Sequence, residues 1–435
     1  MKRKRESETT INHLPEDVLS RIFSHLVDID LNSTSLVSKQ FCSLSSPLLH
    51  KLYLCKLRDS SLTYSDFQRL FKRFTGVKQI YIFVCPKLDD VLIAISNSGL
   101  NLEKLYLSDV IKAQYQYPEP QTMEIMSTSK VIKSIKSFHL NDAFDHNPGQ
   151  HQQFLEFINM FPSLIEFDFT YIYIYILDDN VIHKVTSKFL NLQKVTISNV
   201  GMITDKTLDI LSSNRPKLEI VDFQGCRKFT PEALYTFFCN NPHLSSVDMP
   251  RFYSPSISKV VECMQVLRNL SHISLESNIV QDAVLIALAI SRPPLKSLRL
   301  GGSGNNYTMG GLIPLLSACP GLEKLNIPLP VSNNNTHDAE MSIAVGRLPK
   351  LKHIVVSYHT LVCQATLFSL VQNCPLLEII WVRSVSKAKV KQVFDQGMAR
   401  PTKKNYSIKL IVIDPKDSNM VLLSTLESYC PNLGK

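Results

Sequence analysis

The chain has 435 residues, of which 44% are hydrophobic and 20% charged, with 14 glycines. That balance belongs to a folded protein and excludes a fibrous or low-complexity one. No apolar run reaches the ~18 residues of a membrane span, and the charged Met1–Thr10 lacks the apolar centre of a signal peptide. The expectation is a soluble protein of the cytoplasm and/or nucleus with no membrane partner.

Residues 1–10 read as a basic disordered tail. Lys2, Arg3, Lys4 and Arg5 supply four of the positive charges behind the net +9, and such a tail can address a protein to the nucleus. The remaining basic residues are spread among acidic ones, which argues against a nucleic-acid partner. The ten cysteines include no CxxC pair. They read as free thiols of a reducing compartment, with neither a structural metal nor a cofactor expected.

Residues 11–50 read as a helical module. Pro15, Glu16 and Asp17 suit a helix start, and Val18, Leu19, Ile22, Phe23 and Leu26 form one apolar stripe at helical spacing. A second helical segment follows Asp30, with Leu31, Leu36, Val37 and Phe41 apolar. Some 40 residues do not easily enclose so many large apolar side chains, so part of the stripe should face a partner or the segment that follows. Residues 51–76 read as a helical linker and N-terminal cap.

From Val77 a pattern LxxLxL recurs. Clear copies are Leu102/Leu105/Leu107, Leu164/Phe167/Phe169, Leu192/Val195/Ile197, Leu218/Val221/Phe223, Leu244/Val247/Met249 and Leu270/Ile273/Leu275. Leu295/Leu298/Leu300, Leu322/Leu325/Ile327, Leu351/Ile354/Val356 and Leu377/Ile380/Val382 continue the series, and weaker copies begin at Val77, Ile135 and Ile408. From Leu192 to Leu377 successive copies start 25 to 29 residues apart, the period of leucine-rich repeats. In a short strand the fourth and sixth positions share one side, the core, while the third, fifth and seventh face the other. Between strands the spacing turns helical, most legibly where Thr230, Pro231 and Glu232 precede Leu234, Phe237 and Phe238. The fold expected is α/β: a small helical module, then a solenoid of about thirteen repeats over 77–435, with a curved parallel sheet inside and helices outside. Cys430-Pro431-Asn432-Leu433 opens a last, incomplete repeat with no cap, so the end should be truncated, fray or meet a partner.

Two strings carry a family resemblance. Cys319-Pro320-Gly321-Leu322 and Cys374-Pro375-Leu376-Leu377, with Gly225-Cys226, resemble the cysteine-containing leucine-rich repeats of eukaryotic F-box proteins, plant- or protist-like ones among them. Leu14-Pro15-Glu16-Asp17-Val18-Leu19, Ile22 to Leu26, Asp30-Leu31 and Ser35 to Phe41 resemble an F-box, with Phe41 where many F-boxes carry tryptophan. A plain helical cap for the solenoid is the other reading. The resemblance implies the substrate-recognition subunit of an SCF-type E3 ubiquitin ligase, non-catalytic itself. Its partners would be a Skp-family adaptor, through it cullin and RING subunits, and a target protein held by the repeats. Carried over by position, Leu14, Pro15, Leu19, Ile22, Leu31, Leu36, Val37, Ser38 and Lys39 would make or support the adaptor contact. The alternative function is a leucine-rich-repeat scaffold or inhibitor without a ligase role. A small ligand on the concave face is a third possibility, resting on family analogy alone.

The outward strand positions change sign along the array. Lys104 and Tyr106 are followed by the acids Glu166, Asp168, Asp222, Asp248 and Glu276, then by Arg299, Lys324, His353, Trp381 and Arg383. A lone tryptophan among cations has the composition of an interface hot spot, although Trp381 could instead pack on a neighbouring side chain. The last five residues are the expected target site. Gly301-Gly302-Ser303-Gly304 follows a strand, but no Gly-Lys-Ser/Thr comes after it and there is no HExxH, so no catalytic residue is expected.

Overall fold

The computed structural model describes residues 11, 14–55, 62–108, 117–141, 151–170, 177–213, 217–302, 306–328, 336–357, 364–383, 409–413 and 421–425. The basic tail, Cys363 and the incomplete last repeat fall outside them. The chain divides into two compact units, Met1–Leu192 and Gln193–Lys435.

The first unit opens with three short helices, α1 (Glu16–Phe23), α2 (Asp28–Thr34) and α3 (Lys39–Ser45). The two acids of the first turn complement the α1 dipole, and the Ser38 hydroxyl caps α3 by accepting from the Phe41 amide at 3.1 Å. Leu19, Phe23, Leu31 and Phe41 bury themselves between these helices, with the Phe23 and Phe41 rings edge to face at 5.1 Å. Phe41 therefore serves as the core aromatic of the module.

Strands and helices then alternate: β1 (Lys51–Cys55), α4 (Tyr64–Arg73), β2 (Gln79–Phe83), α5 (Leu88–Ser96) and β3 (Lys104–Ser108). The longer connection after β3 holds two helices, α6 (Pro120–Thr128) and α7 (Lys130–Lys133), before β4 (Ser137–Asn141), α8 (His151–Ile158), β5 (Glu166–Thr170) and α9 (Asp179–Thr186). Strands β1 to β5 pair in parallel, each with the next, without a register shift. Residues 51–76, expected as a helical linker and cap, thus hold a full strand and, among the described residues, one helix. The reason is alternation: Leu52 and Leu54 point inward while Lys51, Tyr53 and Cys55 point out. The inward row Leu52, Ile80, Leu105, Phe138 and Phe167 is buried against the helices, where Phe138 stacks on Phe161 at 4.6 Å.

The second unit continues with β6 (Lys194–Thr196), α10 (Asp205–Ser213), β7 (Ile220–Asp222), α11 (Pro231–Asn240), β8 (Ser246–Asp248), α12 (Ile257–Val266), β9 (His272–Leu275) and α13 (Asp282–Ser291). After these come β10 (Ser297–Leu300), α14 (Met309–Ala318), β11 (Lys324–Pro328), α15 (Thr336–Val345), β12 (His353–Ser357), α16 (Gln364–Asn373) and β13 (Ile379–Arg383). Two further strands, β14 (Lys409–Ile413) and β15 (Val421–Thr425), end the described chain. Strands β6 to β14 are parallel neighbours in sequence order, with Val195, Val221, Val247, Ile273, Leu298, Leu325, Ile354 and Ile380 forming one buried row. The α11 start is as its sequence predicts, with Thr230 accepting from the Ala233 amide and Leu234, Phe237 and Phe238 buried. The last strand departs from the parallel order, β15 running antiparallel to β14. Too few residues separate Ile413 from Val421 for a crossover, whereas an antiparallel return needs only a short turn.

Candidate interaction surfaces

The adaptor residues expected from the sequence divide into two groups. Leu19 and Leu31 are 0% and 4% exposed and belong to the core of the module. Pro15, Ile22, Leu36, Val37, Ser38 and Lys39 are exposed, and Leu14 is half-buried. Three further apolar side chains join the exposed set, Ile11, Val18 and Val27. Val18 was legible as the partner of Ile22 one turn away on α1; Val27 lies between helices, where helical spacing says nothing. Leu36 and Val37 stand out from the loop between α2 and α3 at 71% and 64% exposure.

The outward face of the sheet in the first unit is fully described and has a regular grain. At one register position the five strands present Tyr53, Tyr81, Tyr106, His139 and Asp168 side by side. Tyr53 stacks on Tyr81 with ring centroids 4.7 Å apart, Tyr81 lies 5.6 Å from Tyr106, and Tyr106 lies 5.7 Å from His139. Phe83 flanks Tyr106 at 5.3 Å, and the Lys104 ammonium sits over the Tyr81 ring at 5.8 Å. Burial, with Tyr53, Asp28 and Tyr106 adding to it, holds the Tyr81 hydroxyl above its ordinary pKa. The sequence offered a signal for this row: Lys51-Leu52-Tyr53-Leu54-Cys55 repeats Lys104-Leu105-Tyr106-Leu107-Ser108 in all but its last residue.

The row ends in a polar network. His139 Nδ1 lies 3.0 Å from Asp168 Oδ2, and His139 Nε2 lies 3.0 Å from Ser137 Oγ. This is the atom order of a Ser–His–Asp relay, but the Ser137 hydroxyl is within 3.0 Å of Glu166 Oε2 and can donate there. The Ser137 amide is taken up by the Glu103 carbonyl at 3.0 Å, as strand pairing requires. A nucleophilic serine needs amides free to hold an oxyanion, and a strand inside a sheet has none to give. The network fixes the His139 ring and leaves two carboxylates, Glu166 and Asp168, half-exposed at the β5 end.

In the second unit the expected target residues fall on different rows. Arg299 and Trp381 share a register row that runs Asp222, Asp248, Ser274, Arg299, Asn326, Val355 and Trp381. Lys324 and His353 are adjacent to each other on the next row. Arg299 and Lys324 are exposed, and Trp381 is half-buried. His353 Nε2 lies 3.4 Å from a Glu378 oxygen. Arg383 is in β13, and its side chain lies outside the described residues. Burial raises the pKa of the Asp248 carboxyl while the nearby Arg299 charge opposes that.

Among the described residues no three His, Cys, Asp or Glu side chains cluster as metal ligands, and no helix is long and apolar enough to cross a membrane. Eight described cysteines are free thiols. Burial pushes the pKa of Cys226 up to about 12, and its Sγ donates to the Ile197 carbonyl at 2.8 Å, tying one repeat to the one before.

Residues 11–55 match the F-box-like family. Among solved structures the chain is similar to that of the Rad7 and Elc1 complex in yeast, at 16% identity over 78% of this chain and 88% of that one, with a TM-score of 0.45. It is also similar to the leucine-rich repeat-containing protein LegL7 from Legionella pneumophila, at 10% identity, 86% and 92% coverage and a TM-score of 0.36. An LRR protein of Leptospira interrogans matches at 13% identity, 87% and 95% coverage and a TM-score of 0.31. The chain joins an F-box-like module to strand–helix repeats of the leucine-rich type.

Proposed function

We propose that this F-box and leucine-rich-repeat chain is the substrate-recognition subunit of an SCF-type E3 ubiquitin ligase. The module docks a Skp-family adaptor, which brings cullin and RING subunits, and the repeats hold the protein to be ubiquitinated. Ligase chemistry belongs to the other subunits. The observation that carries the reading is the exposure of Ile11, Val18, Ile22, Val27, Leu36 and Val37 on a module of about 40 residues. Apolar groups crowded onto so small a surface suit a place where another protein sits, and the match to the F-box-like family supports a Skp-family adaptor as that protein.

The adaptor surface in this reading consists of Pro15, Val18, Ile22, Leu36, Val37, Ser38 and Lys39, held in place by Leu19 and Leu31. The target lies on the second unit against Arg299, Lys324, His353, Trp381 and Arg383, and brings an acidic or aromatic segment. Copurification of the full-length chain with the adaptor tests the first half. Leu36→Asp with Val37→Asp should abolish copurification while leaving the melting temperature unchanged, because neither side chain is in the core. Undiminished adaptor recovery would favour a scaffold or inhibitor instead. Trp381→Ala with Arg299→Ala should reduce capture of targets with the proteasome blocked, at unchanged adaptor binding.

A further inference from the structure

The helix side of the second unit carries a surface that neither the adaptor nor the target reading uses. From Ala283 to Ser291 and from Met309 to Ala318 no residue is charged, so α13 and α14 are apolar nearly all round. A helix of that kind is ordinarily enclosed on every face. Here Ala283, Ile286 and Ile290 of α13 face outward, with Ile290 70% exposed, beside Pro314 and Ser317 of α14. The flanking helices differ: Lys259 pairs with Glu262 on α12, and Glu340 is exposed on α15. An uncharged patch with a charged rim is the composition of a docking surface.

The two helices enclose a groove of about 880 Å³, lined by Ile286, Ala289 and Ile290 from α13, by Pro314 and Ala318 from α14, and by Arg292. It exists because α14 presents short side chains next to the branched ones of α13. A concave apolar floor takes a rounded object, and an amphipathic helix laid along it would seat residues at i, i+4 and i+7. A flat lipid surface would leave the floor unfilled.

Charge selects one end of the occupant. Arg292 follows α13 and Arg347 follows α15, so both stand at the C-terminal edge of the helix layer, and both are exposed. Among the described residues neither is paired with a carboxylate, and Glu323, the acid that follows α14, is taken by Lys352 at 2.8 Å. Asp282 stands at the opposite end of α13 with both oxygens held by Thr308. A second copy in a two-fold pairing would therefore bring the same uncharged face and the same arginine, with no carboxylate for either.

We propose that the groove between α13 and α14 docks an amphipathic helix of a partner protein, with apolar residues toward Ile286 and Ile290 and a carboxylate at the end beside Arg292. The inference goes beyond the receptor reading, because the helix side takes a protein other than those held by the module and the strand face.

The experiment is fluorescence anisotropy of the full chain with labelled, alanine-based helical peptides carrying leucine at i, i+4 and i+7. Two glutamates, or two lysines, are placed either before the first leucine or after the last, and a control has serine for each leucine. One glutamate peptide should bind several-fold tighter than either lysine peptide, and the serine control should not bind. Ile290→Gln, at an exposed position, should weaken that glutamate peptide several-fold. Arg292→Glu with Arg347→Glu should transfer the preference to a lysine peptide, a result that misfolding cannot imitate. Equal binding of the glutamate and lysine peptides, an unaltered affinity in Ile290→Gln, or an unchanged preference in the charge-reversed variant would each overturn the proposal. So would self-association of the chain, or its binding to phosphatidylserine vesicles, if Ile290→Gln abolishes it, since the occupant would then be a second copy or a lipid surface.

Discussion

The guanidinium of Arg73 donates two hydrogen bonds to Ser35, one to its carbonyl and one to its hydroxyl, both at 2.8 Å. Arg73 belongs to α4, the helix of the first repeat, while Ser35 ends α2 and immediately precedes Leu36 and Val37. The loop that offers the most exposed apolar pair of the module is thereby fixed to the solenoid. Close backbone approach reinforces the joint: a side chain at Gly76 would collide with the Pro47 carbonyl, and His50 Nδ1 meets the Gly76 carbonyl at 3.1 Å.

Arg73→Ala should therefore act on adaptor binding without touching the adaptor. Two hydrogen bonds from a charged donor are worth ~1.5–3 kcal/mol each when the acceptors stay buried, and less at this half-buried site. We expect a loss of about 1–2 kcal/mol in stability and a several-fold weaker adaptor complex. Titration of the adaptor by calorimetry beside a thermal melt checks this. Arg73→Lys should recover only part of the loss, since an ammonium does not match the two acceptors as a guanidinium does.

A second joint recurs between repeats. The Thr308 amide donates to Asp282 Oδ1 at 2.8 Å and its hydroxyl to Oδ2 at 2.7 Å, and Thr230 holds Asp205 in the same way. Each aspartate sits at the start of one helix and each threonine caps the next, so the pair sets the spacing of consecutive helices. Asp282→Ala should cost about 1–2 kcal/mol, read as a drop of several degrees in melting temperature. Thr308→Ser, which keeps both donors, should cost much less.

How far the sequence could be read follows from which physical rule each residue obeys. The LxxLxL rows were legible because a buried face demands the same residue type at each period, and Val195 to Ile380 line up as the spacing requires. β1 was missed although Leu49/Leu52/Leu54 keep the LxxLxL spacing and its Lys-Leu-Tyr-Leu string was present twice, because the segment reads as a continuation of the helical module before it. The division of Leu19 and Leu31 from Ile22 and Leu36 was not legible. All four are large and apolar in a module too small to bury them all, and only the helix packing decides which remain outside. Nor was the Ser35 contact to Arg73, which joins residues far apart in sequence with no periodicity to announce it.

Gly311 gives a prediction whose sign opposes helix propensity. It lies inside α14, where alanine is ordinarily the better helix former by ~1 kcal/mol. A Cβ there would approach the Asp282 Cα to 2.8 Å and its Oδ1 to 2.4 Å. Gly311→Ala should accordingly destabilise by about 1–3 kcal/mol through overpacking. Gly310→Ala, which would meet only the Thr308 hydroxyl at 3.1 Å, should be neutral or mildly stabilising. Parallel urea titrations of the two variants separate the outcomes.

Asp248 supplies a pH-dependent test of the acidic stretch on the second unit. Burial raises its pKa, with Glu276 adding to the rise and Arg299, His272 and Lys194 opposing it. A carboxyl whose folded pKa lies above its unfolded value binds protons more tightly when folded. Its contribution to stability is complete below the unfolded value of about 3.9 and is lost as the pH rises through the folded value. At pH 7 the charged form is therefore a cost. Asp248→Asn should raise the melting temperature at pH 7, and that gain should shrink toward zero at about pH 3.5 and below. Arg299→Ala should have the opposite sign at pH 7, because it removes the charge that offsets the buried carboxylate. Melts across this range on the two variants check both signs, and a gain for Asp248→Asn that does not change with pH would mean that the carboxylate is not what makes the site costly.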